Sequence, residues 1–239
     1  TPLFFLDYLA TARLVPDVAA AIVGGVHRAC KENDVALLGG ETAEMPGLYH
    51  DDDFDLAGTI VGVVNLEAIP HAERIVSGDT IVALPAQGMH TNGYSLARAL
   101  IPQDEWKTFA DALLAPHPSY LKEVRAIGAA AQIKAMAHIT GGGLYANVAR
   151  TLPENAKAIV EQTRWNVPPI MRELIRRGNL AHEERYRSLN MGIGFTLVVS
   201  LADAPKALAA APGAFVAGWI EARAKDEPAV VVHPARQSE

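Results

Sequence analysis

Short apolar runs alternate with helical periodicities along the second part of the chain, and this alternation most constrains the fold. The runs Thr80–Leu84, Ala135–Ile139 and Gly192–Ser200 have the length and apolar content of buried strands. Segments with helical spacing separate them. Strands and helices in alternation pack as layers, so the sequence predicts an α/β fold with helices against a sheet.

The first part of the chain carries a pattern of its own. Leu3–Leu9 is typical of a strand, and Pro16–Glu32 predicts a helix of about four turns because proline is favoured at the first helical position. Val35–Leu38 predicts a short buried strand, and Phe54–Val64 predicts a longer one.

Length and composition suit one large or two small globular domains. Half of the 239 residues are apolar and 20% are charged, which is enough for a real core. Residues 66–79 have the character of a connector. We therefore predict an N-terminal domain at 1–67 and a C-terminal domain at 75–239.

Charge and cysteine content argue against several classes of protein. The formal net charge of −6 lacks the basic footprint of a nucleic-acid-binding protein, so we expect no nucleic-acid partner. No apolar run reaches 18 residues, so we expect no membrane partner. Cys30 is the sole cysteine and lies in an apolar stretch, which favours a buried structural thiol and a reducing, cytoplasmic setting.

One run with potential chemistry is Gly39-Gly40-Glu41-Thr42-Ala43-Glu44-Met45-Pro46-Gly47, which follows the short apolar segment at 35–38. Two glycines allow a sharp bend and close approach to a ligand, and a carboxylate placed there can hold Mg²⁺. A lone Gly-Gly-Glu is more typical of a strand end followed by a surface turn, so the functional interpretation depends on the other loops of the chain. The nearby acids Asp51–Asp53 are more typical of a solvated turn than of a metal site.

A second candidate loop, Gln87–Ser95, joins a predicted strand to a predicted helix, where ligands bind in open α/β sheets. His90 could exchange a proton near neutral pH, and Asn92 and Ser95 add neutral hydrogen-bonding groups. The Asn92-Gly93 pair alone indicates no more than a turn.

Two further glycine loops precede predicted helices or strands. His138–Asn147 places three glycines between a strand and a helix, an arrangement that suits an anion or a plain tight turn about equally. His138, at the end of an apolar strand, is more typical of a core histidine than of a catalyst. Asn190–Gly194 alone indicates only a turn.

Taken in order, these stretches resemble the phosphoribosylformylglycinamidine cyclo-ligases, also called aminoimidazole ribonucleotide synthetases, and they span nearly the whole chain. The run at 39–47 with Tyr49-His50 is specific to that family. The glycine loops are shared with ATP-using relatives such as selenophosphate synthetase, thiamine-monophosphate kinase and HypE. The stretches that carry the resemblance are Pro2–Tyr8 with Ala10-Thr11, Gly39–Gly47 with Tyr49-His50, His90–Leu96, Ala137–Gly143 and Asn190–Gly194.

The resemblance implies a two-domain PurM-like fold. The N-terminal half of such proteins pairs across a homodimer into a β-barrel, and the C-terminal half is an α/β sandwich. The implied reaction uses ATP and Mg²⁺ to close the imidazole ring of aminoimidazole ribonucleotide from formylglycinamidine ribonucleotide. Catalysis of this kind depends on positioning and charge neutralisation.

The resemblance also implies roles for individual residues. Glu41 would contact Mg²⁺–ATP and, with His90, form the catalytic set. The remaining positions would bind nucleotide (Asp7, Gly40, Thr42), or substrate and phosphate (Asn92, Gly93, Ser95, Thr140, Gly141, Gly142, Gly143).

One departure separates this chain from the family pattern. The family carries an Asp-Gly-Val-Gly-Thr-Lys loop and an Asn-Asp pair upstream of the Leu-Phe-Phe-Leu-Asp stretch, and neither occurs here. We therefore expect a chain that starts inside a longer protein and binds Mg²⁺–ATP weakly by itself. The alternatives are formylglycinamidine ribonucleotide synthetase, disfavoured by the short length and the extension at 44–50, and a non-catalytic dimerising module.

Overall fold

The computed structural model describes residues 1–50, 52–90 and 92–234. The chain divides into two compact units, Thr1–Ile69 and Pro70–Glu239. Among the residues that the structure describes, no helix combines the length and apolar character needed to cross a bilayer.

The first unit is a three-stranded sheet with one long helix. Its strands are β1 (Pro2–Thr11), β2 (Ala36–Glu44) and β3 (Phe54–Gly62), in the order β2-β1-β3. The central strand β1 is parallel to β2 and antiparallel to β3. Helix α1 (Pro16–Glu32) has its predicted bounds, with proline in its first turn, and contacts β1 and β2.

Strand β2 runs through the glycine pair instead of ending before it. Phe5 lies opposite Leu37 and Leu6 lies opposite Gly39, so Leu38 is an extra residue in a bulge. The predicted strand end at this point is therefore wrong, because the bulge lets pairing resume beyond the glycines. The predicted burial of β2 and β3 is also wrong, since nearly all of their side chains are exposed. Cys30 is buried, as predicted.

The second unit is a six-stranded sheet in the order β5-β7-β4-β8-β6-β9. Neighbouring strands are antiparallel except for the parallel pair β6 and β9. Its strands are β4 (Thr80–Pro85), β5 (Ala135–His138), β6 (Ala156–Glu161), β7 (Ile193–Val199), β8 (Phe215–Ala222) and β9 (Val230–His233). Its helices are α2 (Tyr94–Leu100), α3 (Trp106–Leu113), α4 (Leu121–Ala130), α5 (Gly143–Ala149), α6 (Pro169–Gly178), α7 (His182–Ser188) and α8 (Ala204–Ala210).

The two faces of this sheet bury separate cores, and strand β4 shows why. Ile81 and Ala83 join the core that contains residues of α5, α6 and α7. Val82 and Leu84 join the core that contains residues of α4 and α8. Because successive side chains of a strand point to opposite faces, the sheet lies between two helical layers. The α/β layered class predicted from the sequence is confirmed.

Candidate functional site

Asp7 and Glu41 lie on opposite faces of the sheet of the first unit. Asp7 pairs with Gly40 across β1 and β2, and Glu41 pairs with Tyr8. A Cβ added to Gly40 would collide with the carbonyl and Oδ1 of Asp7, so the Asp7 carboxylate covers this glycine. Successive residues of a strand alternate faces, and Glu41 therefore points away from the face of Asp7. The two carboxylates do not form one pair within this unit.

The face that carries Glu41 also holds part of the 44–50 extension. Glu41 is exposed, and its Oε1 accepts the backbone N–H of Thr42 at 3.0 Å. The hydroxyl of Tyr49 donates to Oδ2 of Asp55 at 3.5 Å. Desolvation, the Asp55 carboxylate and nearby Tyr8 together raise the pKa of Tyr49. Tyr49 therefore lies beside the strand position that pairs with Glu41.

The acidic turn that follows is solvated where it is described. Asp52 and Asp53 are exposed, and the N–H of Asp53 donates to the carbonyl of His50 at 2.8 Å. Asp51 lies outside the described residues.

Three motifs of the second unit meet at one end of the neighbouring strands β4, β7 and β5. Nδ1 of His90, in the loop after β4, lies 3.4 Å from the carbonyl of Ile139, directly after β5. Oδ1 of Asn92 would lie 3.8 Å from a Cβ on Gly141. Nδ2 of Asn190 donates to the carbonyl of Gly88 at 3.0 Å. The candidate substrate loop, the glycine loop and the Asn190–Gly194 turn are therefore neighbours.

The remaining predicted substrate residues open helix α2. Gly93 precedes the helix with a φ of 80°, which glycine adopts readily. Ser95 is exposed in the first turn of α2. Gly93 directly follows Asn92, and Ser95 lies three residues after Asn92 in the helix.

A buried asparagine holds the glycine loop at 140–143. Nδ2 of Asn147 contacts the carbonyls of Thr140, Gly141 and Gly143 at 3.3, 3.2 and 2.8 Å. Each bond satisfies a backbone acceptor and fixes the course of the loop. Sequence reasoning missed this role, although Asn147 ends the motif and lies four residues, about one helical turn, after Gly143.

Gly143 is the position of this loop that tolerates a side chain least. Its φ is 59°, and an added Cβ would collide with the carbonyl of Tyr186. We expect Gly143→Ala to lower the free energy of unfolding of this unit by about 2–3 kcal/mol, through a left-handed non-glycine backbone and a displaced neighbour. Urea unfolding followed by circular dichroism measures the change.

Gly141→Ala is the matched control for that substitution. The nearest atom to its added Cβ is Oδ1 of Asn92 at 3.8 Å, an ordinary contact. We expect a change within about 0.5 kcal/mol. Equal losses from the two variants would contradict the proposed collision at Gly143.

Three histidines and a tyrosine cluster beside this loop. The rings of His90 and His117 stack with centroids 3.8 Å apart, and Nε2 of His117 lies 2.8 Å from Nε2 of His138. The Tyr120 hydroxyl lies 2.6 Å from Nε2 of His90 and 3.1 Å from the carbonyl of Pro85. The cluster runs from buried His90 through partly buried His117 to exposed His138. The expectation of a core position for His138 is therefore wrong.

Partial desolvation favours the neutral forms of this cluster. Desolvation, with the neighbouring His117, lowers the pKa of His90 to about 4. Desolvation also lowers the pKa values of His117 and His138, and it raises that of Tyr120. At neutral pH His90 is a neutral imidazole whose Nδ1–H faces a carbonyl, which leaves Nε2 as an acceptor. A neutral ring is not a cationic phosphate ligand, and a pKa of about 4 makes Nε2 a weak proton acceptor at neutral pH.

Gly194, the last residue of the Asn190–Gly194 motif, lies against Tyr120 and His90 of this cluster. A Cβ on Gly194 would collide with the Tyr120 hydroxyl and would stand 2.6 Å from Cε1 of His90. Sequence reasoning missed His117 and Tyr120. Their only sequence signal is the stretch Pro116-His117-Pro118-Ser119-Tyr120, a proline-broken connection between helices.

The architecture and loops define a two-domain PurM-like protein, and comparison with known families agrees. The pattern described as AIR synthase related protein, N-terminal domain, matches residues 1–64. The pattern described as AIR synthase related protein, C-terminal domain, matches residues 76–231. The chain belongs to the AIR synthase related protein family.

Solved structures share the fold at low sequence identity. A hydrogenase maturation protein HypE, solved in complex with ATP, is 20% identical to this chain with a TM-score of 0.73. The match covers 98% of this chain and 70% of the HypE chain. E. coli HypE is 16% identical with a TM-score of 0.69, covering 99% and 71%. Thiamine-monophosphate kinase from Stenotrophomonas maltophilia K279a is 20% identical with a TM-score of 0.67, covering 97% and 72%.

Proposed function

We propose that this chain is part of an ATP-dependent cyclo-ligase that closes formylglycinamidine ribonucleotide to 5-aminoimidazole ribonucleotide, with ADP and phosphate as the other products. The observation that carries the proposal is the family-specific run at 39–47 with Tyr49-His50. Its carboxylate Glu41 is exposed on an open sheet face, and Tyr49 lies beside Tyr8 on the neighbouring strand. The match to both AIR synthase related domains supports the proposal.

In the proposed reaction, ATP phosphorylates the amide oxygen of the substrate, and an amidine nitrogen then displaces phosphate as the ring closes. Glu41 would hold Mg²⁺, which neutralises phosphate charge and takes carboxylate oxygen as a ligand. His90 would accept a proton at Nε2. The residues proposed to bind nucleotide are Asp7, Gly40 and Thr42, and those proposed to bind substrate and phosphate are Asn92, Gly93, Ser95 and Thr140–Gly143.

We also propose that the protein is a cytoplasmic homodimer that pairs through the sheet of its first unit. Strand β3 lies at the edge of that sheet, and its side chains are all exposed, including Leu56 and Ile60. A long apolar edge strand favours pairing with another chain. Leu38 and Val63 add to the exposed apolar surface. Single exposed apolar residues need no explanation, whereas an apolar patch is typical of a protein–protein interface.

A related ATP-using activity is the second candidate, because the fold is shared with HypE and thiamine-monophosphate kinase. The decisive assay offers the full-length protein ATP and Mg²⁺ with formylglycinamidine ribonucleotide or with thiamine monophosphate. We expect ADP and 5-aminoimidazole ribonucleotide from the first mixture only. Phosphorylation of thiamine monophosphate would favour the second candidate, and no turnover of either would favour a non-catalytic module.

A further inference from the structure

We propose that His90, His117 and His138 together bind one first-row transition-metal ion with a preference for imidazole ligands, of which Zn²⁺ is the probe. One ring nitrogen from each histidine lies within 4.8 Å of the other two. The nitrogen ligands of this site differ in chemistry from the proposed Mg²⁺ contact at Glu41, since Mg²⁺ prefers oxygen ligands. The test of this site does not depend on the proposed ring closure, because zinc binding is measured without ATP or substrate.

The spacing of the nitrogens suits such an ion. Zinc binds imidazole nitrogen at about 2.0–2.1 Å, so ligands in a tetrahedral site stand about 3.3 Å apart. Nε2 of His117 and Nε2 of His138 are 2.8 Å apart. The His90 and His117 rings, which stack at an interplanar angle of 22°, must reorient to direct their nitrogens to one ion. His138 is exposed, which keeps the site open to solvent.

The surroundings of His90 are those of a metal ligand. Its Nδ1–H faces the carbonyl of Ile139, as in metal-binding histidines whose second nitrogen is held by a backbone acceptor. Its Nε2 accepts a hydrogen bond from the Tyr120 hydroxyl. The carbonyl of Pro85, 3.1 Å from the same hydroxyl, is an alternative acceptor. The hydroxyl can turn to that carbonyl when Nε2 binds a metal, so no polar group is left unpaired.

Metal binding has a chemical consequence for His90. A ring nitrogen that donates its lone pair to an ion cannot accept a proton at the same time. Occupation of this site and a proton-accepting role for Nε2 of His90 therefore exclude each other.

Zinc titration of the chelator-stripped chain tests the site without ATP or substrate, so its outcome is separate from that of the ring-closure assay. We expect one equivalent of Zn²⁺ per chain, bound in the presence of excess Mg²⁺. His117→Ala and His138→Ala should each weaken binding by at least about tenfold. Both positions are less buried than His90, and circular dichroism verifies that the variants fold.

His71→Ala is the control, because His71 is exposed and outside the cluster. It should leave the zinc affinity unchanged. The proposal is overturned if the chain binds no stoichiometric zinc. It is also overturned if affinity is the same in His138→Ala and the parent, or if His71→Ala weakens binding as much as the cluster variants do.

Discussion

Replacing Lys134 with methionine is expected to lower the free energy of unfolding of the Pro70–Glu239 unit by about 3–5 kcal/mol. Nζ of Lys134 bonds both carboxylate oxygens of Asp79 at 2.7 and 2.8 Å, and both side chains are nearly enclosed. Oδ2 of Asp79 also accepts the N–H of Val76. Methionine fills the space of the lysine but leaves a buried carboxylate without its counter-charge. Urea unfolding measures the loss.

The exposed pair of Lys206 and Asp203 provides the matched control. Its N···O distance is 2.8 Å, but the Lys206 side chain is 63% exposed. Lys206→Met should therefore change the free energy of unfolding by less than about 1 kcal/mol. Similar losses from Lys134→Met and Lys206→Met would contradict the argument that burial sets the cost.

The parts of the fold that the sequence predicted depend on local signals. Helix α1 begins at Pro16 and ends at Glu32, as the proline and the apolar spacing indicated. The continuous apolar run at Thr80–Leu84 predicted a buried strand, and β4 is buried on both faces. The burial predicted for β3 failed because an apolar strand at a sheet edge has the same composition as a central one, and only the tertiary fold distinguishes them.

The candidate sites depended on contacts that no local pattern encodes. His90 and His138 lie in motifs that the sequence singled out, but His117 comes from a proline-broken connection, and only the fold brings the three together. The separation of Asp7 from Glu41 follows from strand register, which the bulge at Leu38 sets. The Lys134–Asp79 pair joins the starts of two strands that are not neighbours in the sheet.

Glu41→Gln in the full-length protein is expected to slow ring closure by about 100-fold, the scale of losing one preorganised charge at a reacting phosphate. Glutamine keeps the shape of the side chain and an oxygen that can accept the N–H of Thr42, so the strand should remain intact. The missing charge weakens the hold on Mg²⁺. Turnover measured across Mg²⁺ concentrations separates lost metal affinity from lost rate.

Glu44→Gln serves as the control on the same strand. Oε1 of Glu44 accepts the N–H of Leu14 at 2.8 Å, a bond that glutamine can also make. Glu44 lies three residues beyond Glu41 and therefore on the opposite face of β2. We expect near-parental turnover for this variant. If Glu41→Gln also retained near-parental turnover, Glu41 would be removed from the site, and the open face of the sheet would serve pairing between chains instead of catalysis.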